Sequence, residues 1–156
     1  MKDLGPVNYF LGLEIDRSEA GFFVSQRKYV QDMIKEFGMS NTTPLKLLMH
    51  AHVTLTLDKG NLLADPSIYQ KLLAKLIYVT ITRPNLSFPV HNLAQFMQKP
   101  TNVHMQAAKR ILRYHLNNPK HGILLASSSA AQLTTYCDSD WATCPVTRRS
   151  TSGYCV

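Results

Sequence analysis

Two carboxylates near the C-terminus, Asp138 and Asp140, are separated by one residue and follow a run of residues that favour β-structure. Leu133 to Cys137 forms this run, and Ser152 to Val156 forms a second one after a polar segment. The pattern predicts a hairpin with acidic residues at its mouth. Because Mg²⁺ takes oxygen ligands and a strand fixes the direction of its side chains, the two carboxylates are candidate magnesium ligands. The alternative, which composition alone favours, is a pair of ordinary solvated turn residues.

The basic residues of the chain are concentrated in one block. The formal net charge is +7 and the isoelectric point is near 9.5. From Pro66 to Cys137 there is no Asp or Glu, and the basic residues in this stretch are Lys71, Lys75, Arg83, Lys99, Lys109, Arg110, Arg113 and Lys120. Such a block suits the neutralisation of phosphate groups and predicts a nucleic-acid partner. The alternatives are a solvated basic surface, or a face that pairs with acids elsewhere in a larger protein.

The length of 156 residues fits one domain, and fits equally well a segment that spans parts of two domains. The cysteines, Cys137, Cys144 and Cys155, are odd in number and lack the close pairs of a zinc knuckle. Because no apolar signal segment stands at the N-terminus, we expect buried, reduced thiols in an intracellular protein of the cytoplasm or nucleus, or one encoded by an organelle. No run of about 18 apolar residues occurs, so no membrane partner is expected.

The elements that would position these residues begin with a hairpin followed by a helix. Val7 to Arg17 is rich in apolar and aromatic residues, Ser18 to Gly21 supplies a turn, and Phe22 to Val24 supplies a return strand. The helix has Ser25 available as its N-cap and Gly38 at its end. Its apolar residues recur at helical spacing and should pack against the hairpin; they are Val30, Met33, Ile34 and Phe37.

An irregular connection is expected between residues 39 and 64, with room for one short strand around Val53 to Leu57. Asp65 and Pro66 then begin a second helix as its cap and first residue. The predicted apolar face of this helix comprises Ile68, Leu72, Leu73, Leu76, Ile77 and Val79.

Two further helices are predicted before Pro119. Arg83 to Asn85 ends one helix and caps the next, whose inward residues are Leu86, Val90, Leu93, Ala94 and Met97. Thr101 caps the last helix, which Asn117 to Pro119 ends. In that helix the residues expected to pack are Ala107, Ala108, Ile111 and Leu112, and those expected in solvent are Lys109, Arg110 and Arg113. A short strand, Gly122 to Leu125, should follow.

The C-terminal motif carries a family resemblance. Asp138 to Ala142 (DSDWA) is followed by Arg148 to Tyr154 (RRSTSGY). This pair of strings resembles the start of the RNase H domain of copia-type LTR retrotransposon polyproteins. The resemblance implies that Asp138 matches the first metal-binding carboxylate of the family, and that Asp140 matches a second acid of the motif.

The N-terminal part resembles the reverse transcriptase of the same family in three strings. They are Lys2 to Gly5 (KDLG), Tyr9 to Glu14 (YFLGLE) and Ser25 to Tyr29 (SQRKY). In reverse transcriptases the hairpin that follows the catalytic palm strands grips the primer end. The resemblance therefore implies a primer-positioning role for Tyr9, Phe10, Leu11, Gly12 and Glu14. An ordinary packed hairpin is the alternative.

The resemblance continues through the helices, in Lys75 to Tyr78 (KLIY), Thr82 to Pro84 (TRP) and Ala108 to Tyr114 (AKRILRY). In the family these helices form the thumb and connection that hold the primer–template. The resemblance and the basic block together imply contacts to a nucleic-acid backbone by Lys75, Arg83, Lys109, Arg110 and Arg113.

Neither enzymatic activity of the family is expected from this chain alone. Polymerase catalysis needs aspartates that hold two Mg²⁺ ions, and the Tyr-x-Asp-Asp turn of the family does not occur in the sequence. RNase H hydrolysis needs about four carboxylates around two metal ions, and the sequence supplies Asp138 and Asp140. Mg²⁺ is therefore the cofactor that the family implies, and tight binding is not expected here.

These observations predict an α+β fragment of a retrotransposon Pol polyprotein. Residues 1–64 are expected to end the reverse transcriptase palm, 65–119 to form a thumb- or connection-like helical region, and 120–156 to form an incomplete RNase H-like hairpin. The expected partners are an RNA–DNA hybrid or duplex nucleic acid and the remainder of the polyprotein. Two alternatives stay open: a non-enzymatic basic module that binds nucleic acid, and a translated relic of the element without a function.

Overall fold

The computed structural model describes residues 5–48, 55–128, 132–142, 144 and 147–155. Along this part of the chain the elements are β1 (Tyr9–Phe10), β2 (Leu13–Ser18), β3 (Gly21–Ser25), α1 (Arg27–Glu36), α2 (Ser67–Val79), α3 (Ser87–Ala94), α4 (Asn102–Asn117), β4 (Gly122–Ala126), β5 (Tyr136–Asp140) and β6 (Thr151–Cys155). A 3₁₀ turn, Pro84–Leu86, precedes α3. The described residues thus form both helices and antiparallel sheets.

The larger sheet has the strand order β1-β2-β3-β4, and each neighbouring pair is antiparallel. Val24 of β3 lies opposite Ile15 on one side and opposite Ile123 on the other. Gly21 begins β3 with a φ of 131°, and a Cβ at this position would lie 2.1 Å from the carbonyl oxygen of Leu125. Glycine is therefore required where β3 and β4 approach each other.

Strand β4 pairs with the N-terminal sheet across the division predicted at residue 120. That division groups Gly122 to Leu125 with the C-terminal hairpin, whereas in the structure this segment pairs with β3. Ser127 extends the contact, because its N–H donates to the carbonyl of Ala20 at 2.9 Å and its Oγ donates to the carbonyl of Glu19 at 2.7 Å. β4 therefore belongs to the N-terminal sheet. Sequence order alone could not reveal this pairing, since it joins segments about a hundred residues apart.

Helix α1 confirms the predicted end at Gly38 and corrects the predicted start. Gly38 has a φ of 66°, its N–H donates to Lys35, and the Met39 N–H donates to Ile34, which is the Schellman arrangement. At the other end Gln26 precedes the helix without a side-chain cap, and the Ser25 hydroxyl instead donates to the Glu14 carboxylate at 3.4 Å. The predicted Ser25 cap is therefore wrong.

The hydrophobic core lies between α1, α2, α3 and α4, with Leu55 added from the connection. Its most buried side chains include Leu72, Leu73, Leu76 and Val79 from α2, Leu86, Val90 and Leu93 from the α3 segment, and Ala108, Ile111 and Leu112 from α4. Val30, Met33 and Ile34 of α1 are buried as predicted, and Phe37, Ala94, Met97 and Ala107 are partly buried against this core. The core thus joins α1 to the other helices, and none of its residues comes from the hairpin against which these α1 side chains were predicted to pack.

The apolar face of α2 is rotated from the predicted one. Tyr69 is fully buried and its hydroxyl donates to the carbonyl of Leu93 at 2.7 Å. Tyr69, Leu72 and Leu76 share one helix face, which leaves Ile68 and Ile77 at its edges, 51% and 39% exposed. The predicted burial of those two isoleucines is therefore wrong, since a tyrosine with a buried hydrogen bond occupies the inward position.

Thr101 caps α4 as predicted, whereas α2 begins one residue later than predicted, with Pro66 and not Asp65 at its N-cap. The Asp65 carboxylate accepts a hydrogen bond from the Ser67 N–H at 2.8 Å, and hydrogen bonding to Ser67 lowers the pKa of Asp65. At the start of α4, Thr101 and His104 form a capping box in which the Thr101 N–H donates to His104 Nδ1 at 3.0 Å. Phe96 stacks on the buried His104 ring with centroids 3.9 Å apart, so this cap also anchors the preceding turn.

In the connection, Leu55 to Leu57 is not a strand, whereas Val53 and Thr54 lie outside the described residues. Leu62 forms an isolated bridge with Thr101. Among the described helices, none combines the length and the hydropathy needed to cross a membrane. β5 and β6 form a separate two-stranded sheet, in which Cys137 is exposed and not buried as expected.

Candidate nucleic-acid interface

The turn between β1 and β2 displays three apolar side chains in solvent. Tyr9, Phe10 and Leu11 are 53%, 58% and 72% exposed. Leu11 and Gly12 have φ angles of 49° and 85°, which are the two positive values of a tight hairpin turn. The segment predicted to contact a primer is therefore a short, projecting hairpin tip.

This tip is fixed to α2 by one tyrosine. The Tyr78 hydroxyl donates a hydrogen bond to the carbonyl of Leu11, and the Tyr29 ring meets the Tyr78 ring edge-on with centroids 5.2 Å apart. A Cβ at Gly12 would lie 3.4 Å from the Tyr29 ring, so the turn sits closely against both aromatic rings. The exposed side chains are thus presented from a turn that packs against Tyr29 of α1 and Tyr78 of α2.

Glu14 serves the fold and does not project from the hairpin tip. Its side chain is 18% exposed and lies 3.4 Å from the Arg27 Nε, and it also accepts the Ser25 hydroxyl. Of the five residues predicted for primer contact, Tyr9, Phe10 and Leu11 are displayed, while Gly12 and Glu14 shape and hold the turn.

Lys75 is oriented by an acid and an aromatic ring. Its Nζ lies 2.8 Å from Glu36 and 5.6 Å from the centroid of the Tyr29 ring. Lys71 Nζ meets the other oxygen of Glu36 at 2.6 Å. These hydrogen bonds lower the pKa of Glu36, Lys71 contributing before Lys75, and the bond to Glu36 raises the pKa of Lys75. Lys75 therefore stays charged beside the hairpin, with part of its charge compensated.

Arg83 is not the surface cation that was predicted. The residue is 3% exposed, and its Nη1 lies 3.3 Å from His115 Nδ1 and donates to the carbonyl of Asn118 at 3.2 Å. The guanidinium also lies 5.8 Å from the centroid of the Tyr114 ring. The side chain is used to join the turn before α3 to the end of α4, and it is not accessible to a phosphate group.

The three basic residues of α4 are also less exposed than predicted, because Lys109, Arg110 and Arg113 are all partly buried. Arg113 Nε donates to the carbonyl of Thr43 at 2.9 Å, so this side chain holds the connection. Arg110 Nε is buried and has no hydrogen-bond partner within the described part of the chain. Of the five predicted cations, Lys75, Lys109 and Arg110 therefore retain charge that a polyanion could reach, whereas Arg83 and Arg113 have structural partners.

The carboxylate pair lies on the C-terminal hairpin. Asp138 is opposite Gly153 and Asp140 is opposite Thr151, so both acids project from the same face of β5. Asp138 is exposed and Asp140 is partly buried. Across the residues described, no three His, Cys, Asp or Glu side chains are grouped closely enough to hold a metal ion. Oxygen ligands fit Mg²⁺, but two carboxylates leave most of its octahedral coordination positions to water or to other groups.

Sequence reasoning missed Tyr78 and Gln26 as supports of the hairpin tip. Gln26 Nε2 donates to the Tyr78 carbonyl at 3.4 Å, and its Oε1 accepts the Thr82 hydroxyl at 2.8 Å. The Tyr78 contact spans 67 residues of sequence, so no local pattern could identify it. The only signal was the position of Tyr78 within the KLIY string.

Comparison with known proteins places the chain among transposon proteins. Neither a family model nor a solved structure matches it. It is 40% identical over 156 residues to the retrovirus-related Pol polyprotein from transposon RE1 of Arabidopsis thaliana, covering 100% of this chain and 11% of that protein. It is 32% identical over 165 residues to the corresponding polyprotein from transposon TNT 1-94 of Nicotiana tabacum, covering 99% of this chain and 12% of that protein.

A mitochondrial protein of Arabidopsis thaliana, named as uncharacterized, is 39% identical over 160 residues, covering 100% of this chain and 65% of that protein. The chain therefore spans about two thirds of this relative and about a tenth of each transposon polyprotein. The similarity extends over essentially the whole chain, and the chain belongs to the Pol polyprotein family of copia-type retrotransposons.

Proposed function

We propose that this part of a Pol polyprotein holds an RNA–DNA hybrid or a primer–template duplex, and that it corresponds to the end of the reverse transcriptase and the beginning of RNase H. The observation that carries this proposal is the hairpin tip, where Tyr9, Phe10 and Leu11 are exposed on a turn that Tyr78 fixes to α2. Exposed apolar side chains on a rigid turn suit contact with sugars and bases at the end of a duplex.

The basic block supports the same function. No Asp or Glu occurs from Pro66 to Cys137. The basic residues of α2 and α4 can therefore attract a polyanion, and no acidic residue in either helix repels it. Lys75 lies beside the hairpin tip through its contact with Tyr29. Phosphate contacts would position the duplex, and the tip would contact its end.

Binding of a labelled RNA–DNA hybrid to the full chain, measured across a salt series, tests this function. We expect the Lys109→Gln and Arg110→Gln double variant to reduce the slope of log K against log salt by about 2, since each lost phosphate contact contributes about 0.9. The matched control is the Lys35→Gln and Lys46→Gln double variant, because both lysines are exposed and lie outside the basic block. An equal change in slope for both double variants would contradict a specific contact.

The hairpin tip is tested by Phe10→Ser, with Phe88→Ser as its control. Phe10 and Phe88 are similarly exposed, at 58% and 63%, but Phe88 lies on α3. We expect Phe10→Ser to weaken hybrid binding about tenfold through lost stacking, with Phe88→Ser close to the parent chain. Should Phe10→Ser bind the hybrid normally while the α4 double variant does not, the chain is a basic binding module without a primer-contacting role.

Catalysis by the isolated chain is not part of the proposed function. The sequence contains no Tyr-x-Asp-Asp turn, and Asp138 and Asp140 alone provide weak coordination of Mg²⁺. We expect no Mg²⁺-dependent cleavage of the RNA strand of a hybrid. Cleavage that Asp138→Asn abolishes and Asp58→Asn leaves intact would overturn this expectation.

A further inference from the structure

A cavity of about 480 Å³ lies among α3, α4, the end of α1 and the connection before α2. Its volume is within the range of small-molecule sites. The apolar part of its lining is Met39, Leu48, Leu55, Leu93, Val103 and Ala107. The polar part is Gln106, Lys109, Arg110 and Arg113. No Asp or Glu is among these lining residues.

Helix α4 gives the cavity two chemically different ends. Val103, Ala107, Arg110 and Arg113 follow one another at spacings of three or four residues and therefore share one helix face. The face is apolar at Val103 and Ala107. It is cationic at Arg110 and Arg113, which lie about one and about two turns after Ala107. At 1.5 Å per residue, Val103 and Arg110 are about 10 Å apart along the helix. The cavity therefore changes in chemistry along its length, from an aliphatic end to a cationic end.

The cationic end has unused capacity for an anion. No ion pair in the described part of the chain includes Lys109, Arg110 or Arg113. Arg110 Nε is buried without a hydrogen-bond partner among the same residues. A buried donor left unpaired costs free energy, and an anionic ligand that accepts its hydrogen bond would remove that cost.

The lining of the aliphatic end determines which type of apolar group can bind there. Leucine, valine, methionine and alanine side chains line it, and no aromatic ring does so among the described residues. Proteins bind nucleobases largely by stacking them on aromatic side chains, so this lining does not suit a base. It suits a saturated chain, which needs only apolar surface.

We propose that this cavity binds a small amphipathic carboxylate of the medium-chain fatty-acid class. The alkyl chain lies against Leu93, Val103 and Ala107, and the carboxylate accepts hydrogen bonds from Arg110 and meets the charge of Lys109. This site shares Lys109 and Arg110 with the proposed phosphate contacts, but its test uses no nucleic acid, so the two proposals can fail separately.

Isothermal titration calorimetry of the full chain with decanoate tests the proposal. We expect saturable binding of one decanoate per chain, and an increase in the thermal unfolding temperature with decanoate concentration. Decyltrimethylammonium, which has the same chain with a cationic head, and adenosine monophosphate, which has an anionic group on a base, should each give no saturable heat. Tighter binding of either comparison ligand than of decanoate would overturn the assignment.

Two variants probe the two ends of the cavity. Ala107→Phe fills the aliphatic end and should abolish decanoate binding. Arg110→Gln should raise the Kd at least about tenfold, which is the expected effect of losing a charged hydrogen bond. Lys99→Gln makes the same change in charge at an exposed position outside the cavity and should leave the Kd unchanged.

Circular dichroism and urea unfolding must first show that each variant is folded. Absence of saturable decanoate binding by the folded parent chain would refute the proposal. Decanoate binding that neither Ala107→Phe nor Arg110→Gln weakens would refute it equally, because the ligand would then lie elsewhere.

Discussion

At the scale of single residues, the most informative contact is between Arg83 and His115, both of which are buried. Arg83 Nη1 lies 3.3 Å from His115 Nδ1, so the imidazole is neutral and accepts the hydrogen bond. Burial, followed by the Arg83 charge and by His121, lowers the pKa of His115 to about 3. Within the described residues the His115 Nε2 has no hydrogen-bond partner. Protonation of His115 would place two cations together in the interior.

This contact predicts that stability falls as the pH is lowered. Above the ordinary histidine pKa of 6.5, His115 is neutral in both the folded and the unfolded state. It therefore does not change the free energy of unfolding with pH in this range. Between 6.5 and about 3 the unfolded state takes up a proton that the folded state excludes. The free energy of unfolding should therefore decrease by up to about 1.4 kcal/mol per pH unit in this window. Burial also lowers the pKa of His104, which acts in the same direction.

Urea unfolding at pH values of about 7.5, 6.5 and 5.5 measures this effect before carboxylates begin to titrate. His115→Gln should be less stable than the parent at the highest pH, with a flatter dependence on pH. His91→Gln is the matched control, because His91 is an exposed histidine on α3. If His115→Gln and His91→Gln retain the same slope as the parent chain, His115 is not the group that titrates.

At the scale of elements, the end of α1 and the start of α4 were easier to predict than the inward face of α2. Gly38 and Thr101 act through their immediate neighbours, so local sequence identifies them as the end of α1 and the start of α4. The inward face of α2 depends on which other elements cover it. Tyr69 is inward because its hydroxyl reaches Leu93 on α3, and this partner is 24 residues away.

The end of α1 provides a test of this local control. Gly38 has a φ of 66°, and a methyl group added at its Cα would meet open space. Gly38→Ala therefore causes no clash, but the alanine must adopt an unfavourable backbone conformation. We expect this variant to lower the free energy of unfolding by about 1 kcal/mol. Gly153→Ala is the control, since Gly153 also has open space but no positive φ. Equal stabilities of the two variants in urea unfolding would show that the backbone conformation at Gly38 carries no cost.

At the scale of the whole molecule, β4 connects the end of the helical region back to the N-terminal sheet. Five residue pairs join β3 to β4, from Gly21 opposite Ala126 to Ser25 opposite Gly122. The sheet therefore contains three strands that precede the helices in the sequence and one strand that follows them. A boundary drawn at residue 120 would separate β4 from its partner strand.

Comparison of two shortened chains tests this arrangement. A chain that ends at residue 128 keeps β4 and the hydrogen bonds of Ser127, whereas a chain that ends at residue 119 loses them and exposes the edge of β3. We expect the shorter chain to unfold at a lower urea concentration and to aggregate more readily. Equal urea midpoints would mean that residues 122–126 contribute nothing to the N-terminal sheet.

The amino-acid sequence by itself determined the family, through the DSDWA, RRSTSGY and YFLG strings, and it determined most helices and strands, through periodicity, caps and turns. These features are encoded within a few consecutive residues, and the same strings lie within the full-length similarity to transposon Pol polyproteins. The basic block was also evident, because charge is a property of residue type.

Only the tertiary structure decided which contacts those charged residues and strands make. It buried Arg83 against His115, placed Arg110 at a cavity, fixed the hairpin tip through Tyr78 and paired β4 with β3. Each of these outcomes depends on contacts between residues far apart in the chain. Local propensity carries no information about such contacts, whereas the packing of elements into one core determines them.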